Sequence, residues 1–221
     1  MRPELHGSAA DPESLPERLR HVLWIGGGSG AGKSTIARRI AARHGLAVYA
    51  TDDVMPDHAR RTTPEDCPLL NEFVAMDMDE RWVNRSPETM LDTFHWFRGE
   101  GFDLIVDDLL RLPSTPGFVV EGFRLLPHLV QPLVAIPGHA VWLLPTPDFR
   151  RAVFDRRGPA WGFLRSTSDP ERALRNLLDR DRLFTDRLRE ETRRLRLSAI
   201  EIDGATTEDE LADRVLEGFG L

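Results

Sequence analysis

Residues Gly27 to Ser34, with the sequence GGSGAGKS, match the pattern G-x-x-x-x-G-K-S/T. An apolar run at 21–25 precedes the pattern, and 33–44 follows it with apolar residues at helical spacing. Glycines let backbone N–H groups curl around a phosphate, and a helix N-terminus adds the positive end of its dipole. In such a loop the lysine reaches the β- and γ-phosphates and the hydroxyl binds Mg²⁺. We therefore predict a nucleotide-phosphate site made of Gly27, Gly28, Ser29, Gly30, Ala31, Gly32, Lys33, Ser34 and Thr35.

The position of Lys33 strengthens this prediction. It is the only lysine, so 28 of the 29 basic residues are arginine. An arginine is too broad to replace an ammonium inside a phosphate loop. The single lysine also excludes two classes of protein. A usual GTPase needs a second lysine in its guanine-reading loop, and a protein kinase carries its lysine on a strand after the glycine-rich loop.

Acidic residues follow two of the apolar runs. Asp52 and Asp53 come directly after the run 46–50, and Glu121 ends the run 118–121. A second acid pair, Asp107 and Asp108, follows the apolar stretch Leu104-Ile105-Val106. Together these five residues resemble a strand that ends in a metal-binding carboxylate. Such acids also occur as helix caps or as solvated surface groups, so their spacing alone leaves these alternatives open.

Apolar runs and helical periodicity alternate along the chain. We predict strands at 21–25, 46–50, 118–121, 140–144 and 199–202. Helices are expected at 33–44, 69–81, 87–99, 125–134, 148–157, 170–195 and 207–219, the last capped by Thr206 or Thr207, and 54–68 and 158–169 are expected to be loops. The ambiguous segment 102–112 is predicted to be a helix, because only about ten residues separate it from the next strand and a parallel crossover needs a dozen or more. The fold class predicted is α/β, a five-stranded parallel sheet with helices on both faces.

Composition limits the number of domains, the possible disulfides and the partners of the protein. The 221 residues are 41% hydrophobic and 29% charged, which is typical of one globular domain. We expect a flexible tail over 1–20 and a single domain over 21–221. The lone cysteine, Cys67, excludes an intramolecular disulfide. The net charge of −7 disfavours a nucleic-acid partner. The chain has neither a membrane-length apolar run nor a signal-like start, so we expect a cytoplasmic protein without a membrane partner.

The loop and its setting resemble the P-loop kinases of small molecules. This group includes uridine, gluconate, shikimate, adenylylsulfate and nucleoside monophosphate kinases, and the resemblance spans about 21–203. It implies transfer of the γ-phosphoryl group of ATP with Mg²⁺. It also implies a helical acceptor-binding insert after the second strand, placed here at 53–112, and an arginine-bearing lid at 156–170.

The resemblance suggests roles for the carboxylates. In uridine-kinase-like members an aspartate stands where Asp52 and Asp53 do, and it orients or deprotonates the acceptor or holds Mg²⁺ through water. An acid stands at the place of Glu121 in uridine kinase and phosphoribulokinase relatives. We expect Ser34, and Glu121 through water, to hold the metal, with Asp107 and Asp108 as the alternative.

The lid arginines are expected to neutralise charge on the transferred phosphoryl group. Arg156 and Arg157, at the lid entrance, are the candidates. Other arginines lie on either side of the lid: Arg150, Arg151, Arg165, Arg172, Arg175, Arg180 and Arg182.

The aromatic residues Trp82, Phe94, Trp96 and Phe97 are expected in the core, with an acceptor pocket as the alternative. His58 is expected on the surface, with an acceptor contact as the alternative.

Three functions remain open. The first is an ATP-dependent kinase of a hydroxyl-bearing small molecule, such as a nucleoside, sugar, cyclitol or antibiotic-like compound. The second is a nucleoside monophosphate kinase. Adenylate-type enzymes show Thr-Gly-Asp where this chain has Thr51-Asp52-Asp53, and two carboxylates would repel an incoming phosphate. The third is a regulatory ATPase or nucleotide-binding switch. The sequence indicates no oligomeric state.

Overall fold

The computed structural model of the chain describes residues 13–221, apart from the side chains of residues 157–161. Short strands alternate with helices throughout. The strands are β1 (Val22–Gly27), β2 (Ala47–Ala50), β3 (Phe118–Glu121), β4 (Ala140–Pro145) and β5 (Ser198–Ile202). The α-helices are α1 (Leu15–Arg18), α2 (Lys33–His44), α3 (Met55–Arg61), α4 (Pro68–Ala75), α5 (Pro87–Thr93), α6 (Phe102–Arg111), α7 (Pro127–Val130), α8 (Pro147–Arg157), α9 (Pro170–Leu195) and α10 (Glu208–Phe219). A π-helical turn covers Glu80–Asn84, and 3₁₀ turns cover His95–Arg98, Gln131–Leu133 and Gly158–Ser166.

The strands form one parallel sheet in the order β2-β3-β1-β4-β5, which confirms the predicted fold class. The central strand β1 pairs with β3 on one side and β4 on the other. The chain passes from β1 to β2 on the first side and later places β4 on the second. The carboxyl end of β1 therefore lies at a switch in strand order, where open α/β sheets bind ligands.

Apolar layers cover both faces of the sheet. Along β1, Val22 and Trp24 belong to one core cluster, and Leu23 and Ile25 belong to the other. This alternation follows from the two-residue period of a strand. Helices α2 and α10 contribute to the second layer, whereas α6 and α9 contribute to the first. Both faces are buried, as expected for a parallel sheet.

The ambiguous segment is a helix, as predicted. Phe102, Ile105 and Leu109 of α6 are buried on one face. The prediction of a loop over 54–68 is wrong in part, because α3 forms there. Pro56 occupies the first turn of α3, where a missing N–H breaks no helical hydrogen bond.

Other predicted features have mixed outcomes. Helix α9 is capped by Asp169, whose side chain accepts the N–H of Arg172 at 3.0 Å, and α10 is capped by a capping box between Thr207 and Glu210. Of the predicted tail, 1–12 lie outside the described residues, whereas Leu19 is 1% exposed and belongs to the core. Within residues 13–221, none of the helices combines the length and apolar character needed to span a membrane.

Candidate active site

The glycine-rich loop leaves β1 and is held against β4. The Gly28 N–H donates to the carbonyl of Leu143 at 3.0 Å. Gly27 has a φ of +131°, and a Cβ on it would lie 2.1 Å from the same carbonyl oxygen. A residue with a side chain therefore cannot occupy position 27 without moving β4 away.

Lys33 and the start of α2 complete the loop. The Lys33 ammonium donates to the carbonyl of Gly28 at 2.8 Å, across the loop, and Lys33 is 8% exposed. Gly32, at the N-cap of α2, has a φ of +81° and no side chain that could cap the helix. The first-turn N–H groups of α2 and the lysine charge therefore face a common anion-binding space.

Arg150 supports the loop from beneath. Its guanidinium donates to the carbonyl of Ser29 at 3.3 Å and also to the hydroxyl of Thr185 on α9. Arg150 is 2% exposed, and burial lowers its pKa. This arginine therefore links α8 and α9 to the loop.

A cavity of about 340 Å³ opens beside the loop. It brings together carboxylates, an arginine and several apolar side chains from distant parts of the chain. Outside the loop, its lining residues are Asp52, Met55, Trp82, Phe94, Phe97, Glu121, Phe123, Phe163, Leu177, Arg180 and Asp181. Such a cavity can hold a small molecule next to a phosphate bound by the loop.

Two of the predicted carboxylates reach this cavity. Glu121, 3% exposed, ends β3 and lies between Ile25 and Ala50 in the sheet register. Burial raises its pKa, whereas a hydrogen bond with Ser34 and the charge of Lys33 act against that rise. The pKa of Asp52 is also raised by burial, although Lys33 and Arg124 oppose the shift. Both acids therefore lie next to the positive charge of the loop.

Asp53 takes a different position. Like Asp52 it is exposed, but it is not among the described residues that line the cavity. The predicted pair therefore divides into one carboxylate that lines the cavity and one that does not.

Asp107 and Asp108 lie on α6, whereas Glu121 lies at the end of a strand. Asp108 accepts hydrogen bonds from Tyr49 at 2.9 Å, His58 at 2.9 Å and Arg61 at 2.8 Å. Burial alone would raise the pKa of Asp108, but these bonds lower it to about 2. Of the two alternatives, it is Glu121 that lies beside Ser34.

The two carboxylates of the cavity do not make a metal centre by themselves. Over the described part of the chain, no cluster of three or more His, Cys, Asp or Glu side chains could hold a metal ion. Ser34 and Glu121 supply oxygen atoms of the type that Mg²⁺ prefers. A cation here would take most of its ligands from phosphate oxygens and water.

One wall of the cavity is aromatic. Trp82 lies on the π-helical turn, and the Asn176 amide of α9 donates to the carbonyls of Trp82 and Val83 at 3.0 and 3.1 Å. The Arg180 guanidinium lies over the rings of Trp82, Phe94 and Phe97 at 5.3, 4.7 and 5.1 Å. The same guanidinium donates twice to Asp181, at 3.0 and 2.7 Å. Arg180 thus fixes the aromatic wall to α9.

The predicted aromatic cluster is divided. Trp82, Phe94 and Phe97 line the cavity, whereas Trp96 is 5% exposed and packs 4.1 Å beneath the guanidinium of Arg124.

The expectation that His58 lies on the surface is wrong. His58 is fully buried, and it contacts both Asp108 and Arg124.

The two predicted lid arginines are not in this cavity's described lining. The side chain of Arg157 lies outside the described residues. Arg156 is exposed and lines a second cavity. Arg180 occupies the first cavity instead, and Arg124, which was not among the predicted residues, lies behind Asp52. The only sequence feature that could have pointed to Arg124 is its position shortly after the end of β3.

The second cavity, of about 760 Å³, also borders the loop. Gly30, Gly32 and Thr35 line both cavities. The remaining walls come from α8 and from the segment between β5 and α10, with Phe149, Val153, Asp203 and Thr206 among the lining residues. Part of the loop therefore forms a wall common to both cavities.

Comparisons with known proteins reveal distant similarities of structure. No family model and no curated protein matches the chain. An uncharacterized protein from Eubacterium ventriosum ATCC 27560 superposes with a TM-score of 0.47 at 13% identity, over 91% of this chain and 98% of that one. A gluconokinase from Sinorhizobium meliloti 1021 superposes with a TM-score of 0.42 at 19% identity, over 92% of this chain and 93% of that one. Neither similarity assigns an activity to this chain.

Proposed function

We propose that this protein transfers the γ-phosphoryl group of ATP to a hydroxyl group of a small molecule. The observation that carries the proposal is that the glycine-rich loop lines two cavities, one of which presents Asp52 beside Lys33. A phosphate on the loop would face a nucleotide on one side and an acceptor on the other. Phosphoryl transfer requires the attacking and leaving oxygens to lie roughly in line across the phosphorus.

The second cavity is the candidate site for the nucleoside part of ATP. Phe149 and Val153 offer apolar surface to a base, and Thr206 and Asp203 offer polar groups. Arg156 reaches this side of the loop, where it would meet the phosphates rather than the acceptor. Residues 156–170 remain our candidate for a lid, and 53–112 our candidate for the acceptor-binding insert.

The loop would hold the phosphates and the metal. Lys33 places its charge at the β- and γ-phosphates, and the first-turn N–H groups of α2 bind their oxygens. Mg²⁺ would be held by Ser34 directly and by Glu121 through water. When bound, the ion neutralises charge that develops on the phosphates.

Asp52 would act on the acceptor. As the acceptor oxygen forms its bond to the γ-phosphorus, the bond from that phosphorus to the β-bridging oxygen breaks and ADP leaves. The hydroxyl proton passes to the carboxylate of Asp52, which is suited to accept it because burial raises its pKa. Asp53, which is outside the described lining of the cavity, has no part in this step.

A nucleoside monophosphate acceptor fits the cavity less well. It would bring negative charge next to Asp52 and Glu121, and the arginine of the cavity already pairs with Asp181. A regulatory ATPase has no need of a cavity on the acceptor side. We retain both functions as alternatives, and each predicts a different dependence of ATP turnover on an acceptor.

The decisive experiment measures ADP release from ATP with and without a panel of metabolites and natural products. We expect a hydroxyl compound to stimulate release, and Asp52→Asn to reduce the stimulated rate by about 10²-fold or more. The surface variant Asp53→Asn is the matched control and should stay near wild type. Stimulation by a nucleoside monophosphate in both variants would favour the second function, and ADP release that no acceptor changes would favour the third.

A further inference from the structure

We propose that the acceptor is a neutral alcohol with an aromatic or other flat apolar ring system, and that sugars, cyclitols and anionic compounds are poor acceptors. This inference rests on the proposed function, because it concerns the acceptor side of the same site. It uses the composition of the cavity wall to narrow the range of hydroxyl compounds that could be the acceptor.

The wall is built mainly of rings. Trp82, Phe94, Phe97, Phe123 and Phe163 all line the cavity. The rings of Trp82 and Phe163 are tilted against each other with their centroids 5.3 Å apart, and those of Phe94 and Phe97 meet edge to face with their centroids 4.8 Å apart. A flat ring inserted among them would add aromatic contacts of the same geometry.

Polar side chains are few on this wall. Apart from the loop and the two carboxylates beside it, the charged side chains that line the cavity are Arg180 and Asp181. These two form a hydrogen-bonded ion pair with each other. A sugar carries a hydroxyl on nearly every carbon, and each hydroxyl that lost water without finding a partner would weaken binding. An apolar ring has no such requirement.

The charge balance disfavours an anionic acceptor. The charges of Arg180 and Asp181 cancel, and the remaining acids, Asp52 and Glu121, face the acceptor side of the loop. Lys33 is the loop cation, and ATP would engage it. A carboxylate or phosphate on the acceptor would therefore lie close to the carboxylates of Asp52 and Glu121, which would repel it.

Isothermal titration calorimetry in the presence of a non-hydrolysable ATP analogue tests the inference. The probes are 2-phenylethanol, 2-(1-naphthyl)ethanol, phenylacetate, myo-inositol and gluconate. We expect both aryl alcohols to bind, the two-ring alcohol more tightly, and the other three compounds to bind at least about tenfold more weakly than 2-phenylethanol. Tighter binding of inositol, gluconate or phenylacetate would overturn the inference.

Variants at Phe163 test whether the aryl alcohols bind at the aromatic wall of the cavity. Phe163 is 36% exposed, so its replacement should leave the fold intact, which a melting curve checks. Phe163→Ala should weaken naphthylethanol binding by about tenfold, whereas Phe163→Tyr, which retains the ring, should bind as wild type. Val74→Ala removes an exposed apolar side chain outside the cavity lining and should have no effect. Unchanged binding in Phe163→Ala would contradict the inference.

ADP release measured with the same five compounds separates this inference from the proposed function. Aryl alcohols that bind as expected but yield no phosphorylated product would support the ligand class and contradict the kinase. Product formed from inositol or gluconate, without binding of aryl alcohols, would support the kinase and overturn the ligand class.

Discussion

The Arg124 guanidinium donates a hydrogen bond to Nδ1 of His58 at 3.0 Å. Since arginine can only donate, Nδ1 is the acceptor and the ring proton lies on Nε2, which donates to Asp108 at 2.9 Å. His58 is therefore neutral, in agreement with the effect of burial, which lowers its pKa. Arg124 also donates to the carbonyl of Gly101 at 2.9 Å and to that of Thr51 at 3.5 Å, directly before Asp52. A buried network thus holds a positive charge behind the proposed base.

This relationship predicts a change in the pH profile of the reaction. The charge of Arg124 opposes the effect of burial on Asp52, so Arg124→Met should raise the pKa of Asp52 further. We expect the acid limb of kcat/KM for the acceptor to move to higher pH in Arg124→Met and to move less in Arg124→Lys, which keeps the charge. The position of the limb, unlike the rate, does not depend on the fraction of folded enzyme. An unshifted limb in Arg124→Met would show that the arginine has only a structural role.

Lys33 should be required for transfer but not for folding. Its ammonium spans the loop to the carbonyl of Gly28 and places charge where the phosphates would lie. Lys33→Met should reduce ADP release by about 10²-fold or more, the size expected for loss of one preorganised donor. Lys33→Arg should fail as well, since the planar fork is broader than an ammonium. Near-normal activity in Lys33→Met, with an unchanged melting temperature, is incompatible with the proposed function.

Sequence patterns predicted the parts of the structure that local rules determine. The parallel sheet, α2 and α9 followed from apolar runs, helical spacing and turn residues. The short distance between 102–112 and the next strand identified α6 correctly. The helix α3 was missed because Pro, Asp and Arg suggested a loop. The structure shows that Pro56 starts the helix, Asp57 pairs with Arg60 and Arg61, and His58 is buried.

The site was predictable only where it follows strand ends. The loop, Asp52 and Glu121 were found because the carboxyl ends of parallel strands meet at one edge of the sheet. Arg180 could not be distinguished from the other arginines, because its place depends on how α9 packs against the π-helical turn that carries Trp82. Arg124 is defined by partners at Gly101 and His58, far away in sequence, and no local pattern connects these residues.

Activity should depend on a divalent cation held near Ser34. Excess EDTA should abolish ADP release, and Mg²⁺ or Mn²⁺ should restore it. Ser34→Ala and Glu121→Gln should both raise the Mg²⁺ concentration that gives half-maximal activity. Asp107→Asn, at an exposed position on α6, is the control and should leave that concentration unchanged. Full activity in EDTA, or an effect of Asp107→Asn alone, would contradict the assignment of Ser34 and Glu121.

Stability should fall in mild acid because of buried histidine. His95 is 2% exposed, and burial, together with the charges of Arg124 and Arg180, lowers its pKa from 6.5 to about 3. Below pH 6.5 the unfolded chain therefore binds a proton that the folded one excludes. This contribution to the free energy of unfolding is full above pH 6.5 and falls as the pH drops toward 3, by up to about 1.4 kcal/mol per pH unit.

The variant His95→Phe tests this source of acid sensitivity. The ring already lies among Phe73, Phe94 and Trp96, so phenylalanine should fit the site. Urea unfolding at pH 5 and pH 8 should show a smaller loss of stability in His95→Phe than in wild type. The exposed His44→Gln serves as the control and should lose as much as wild type. Equal losses of stability in all three proteins would show that the acid sensitivity does not come from His95.

The loop wall shared by Gly30, Gly32 and Thr35 has a thermodynamic consequence. A ligand that shifts this wall from one side changes the shape of the cavity on the other side. Reciprocity then requires the first ligand to alter the affinity of the second by the same factor as the second alters that of the first. Any effect of a nucleotide on acceptor affinity that passes through this shared wall must therefore be matched by an equal effect of the acceptor on nucleotide affinity.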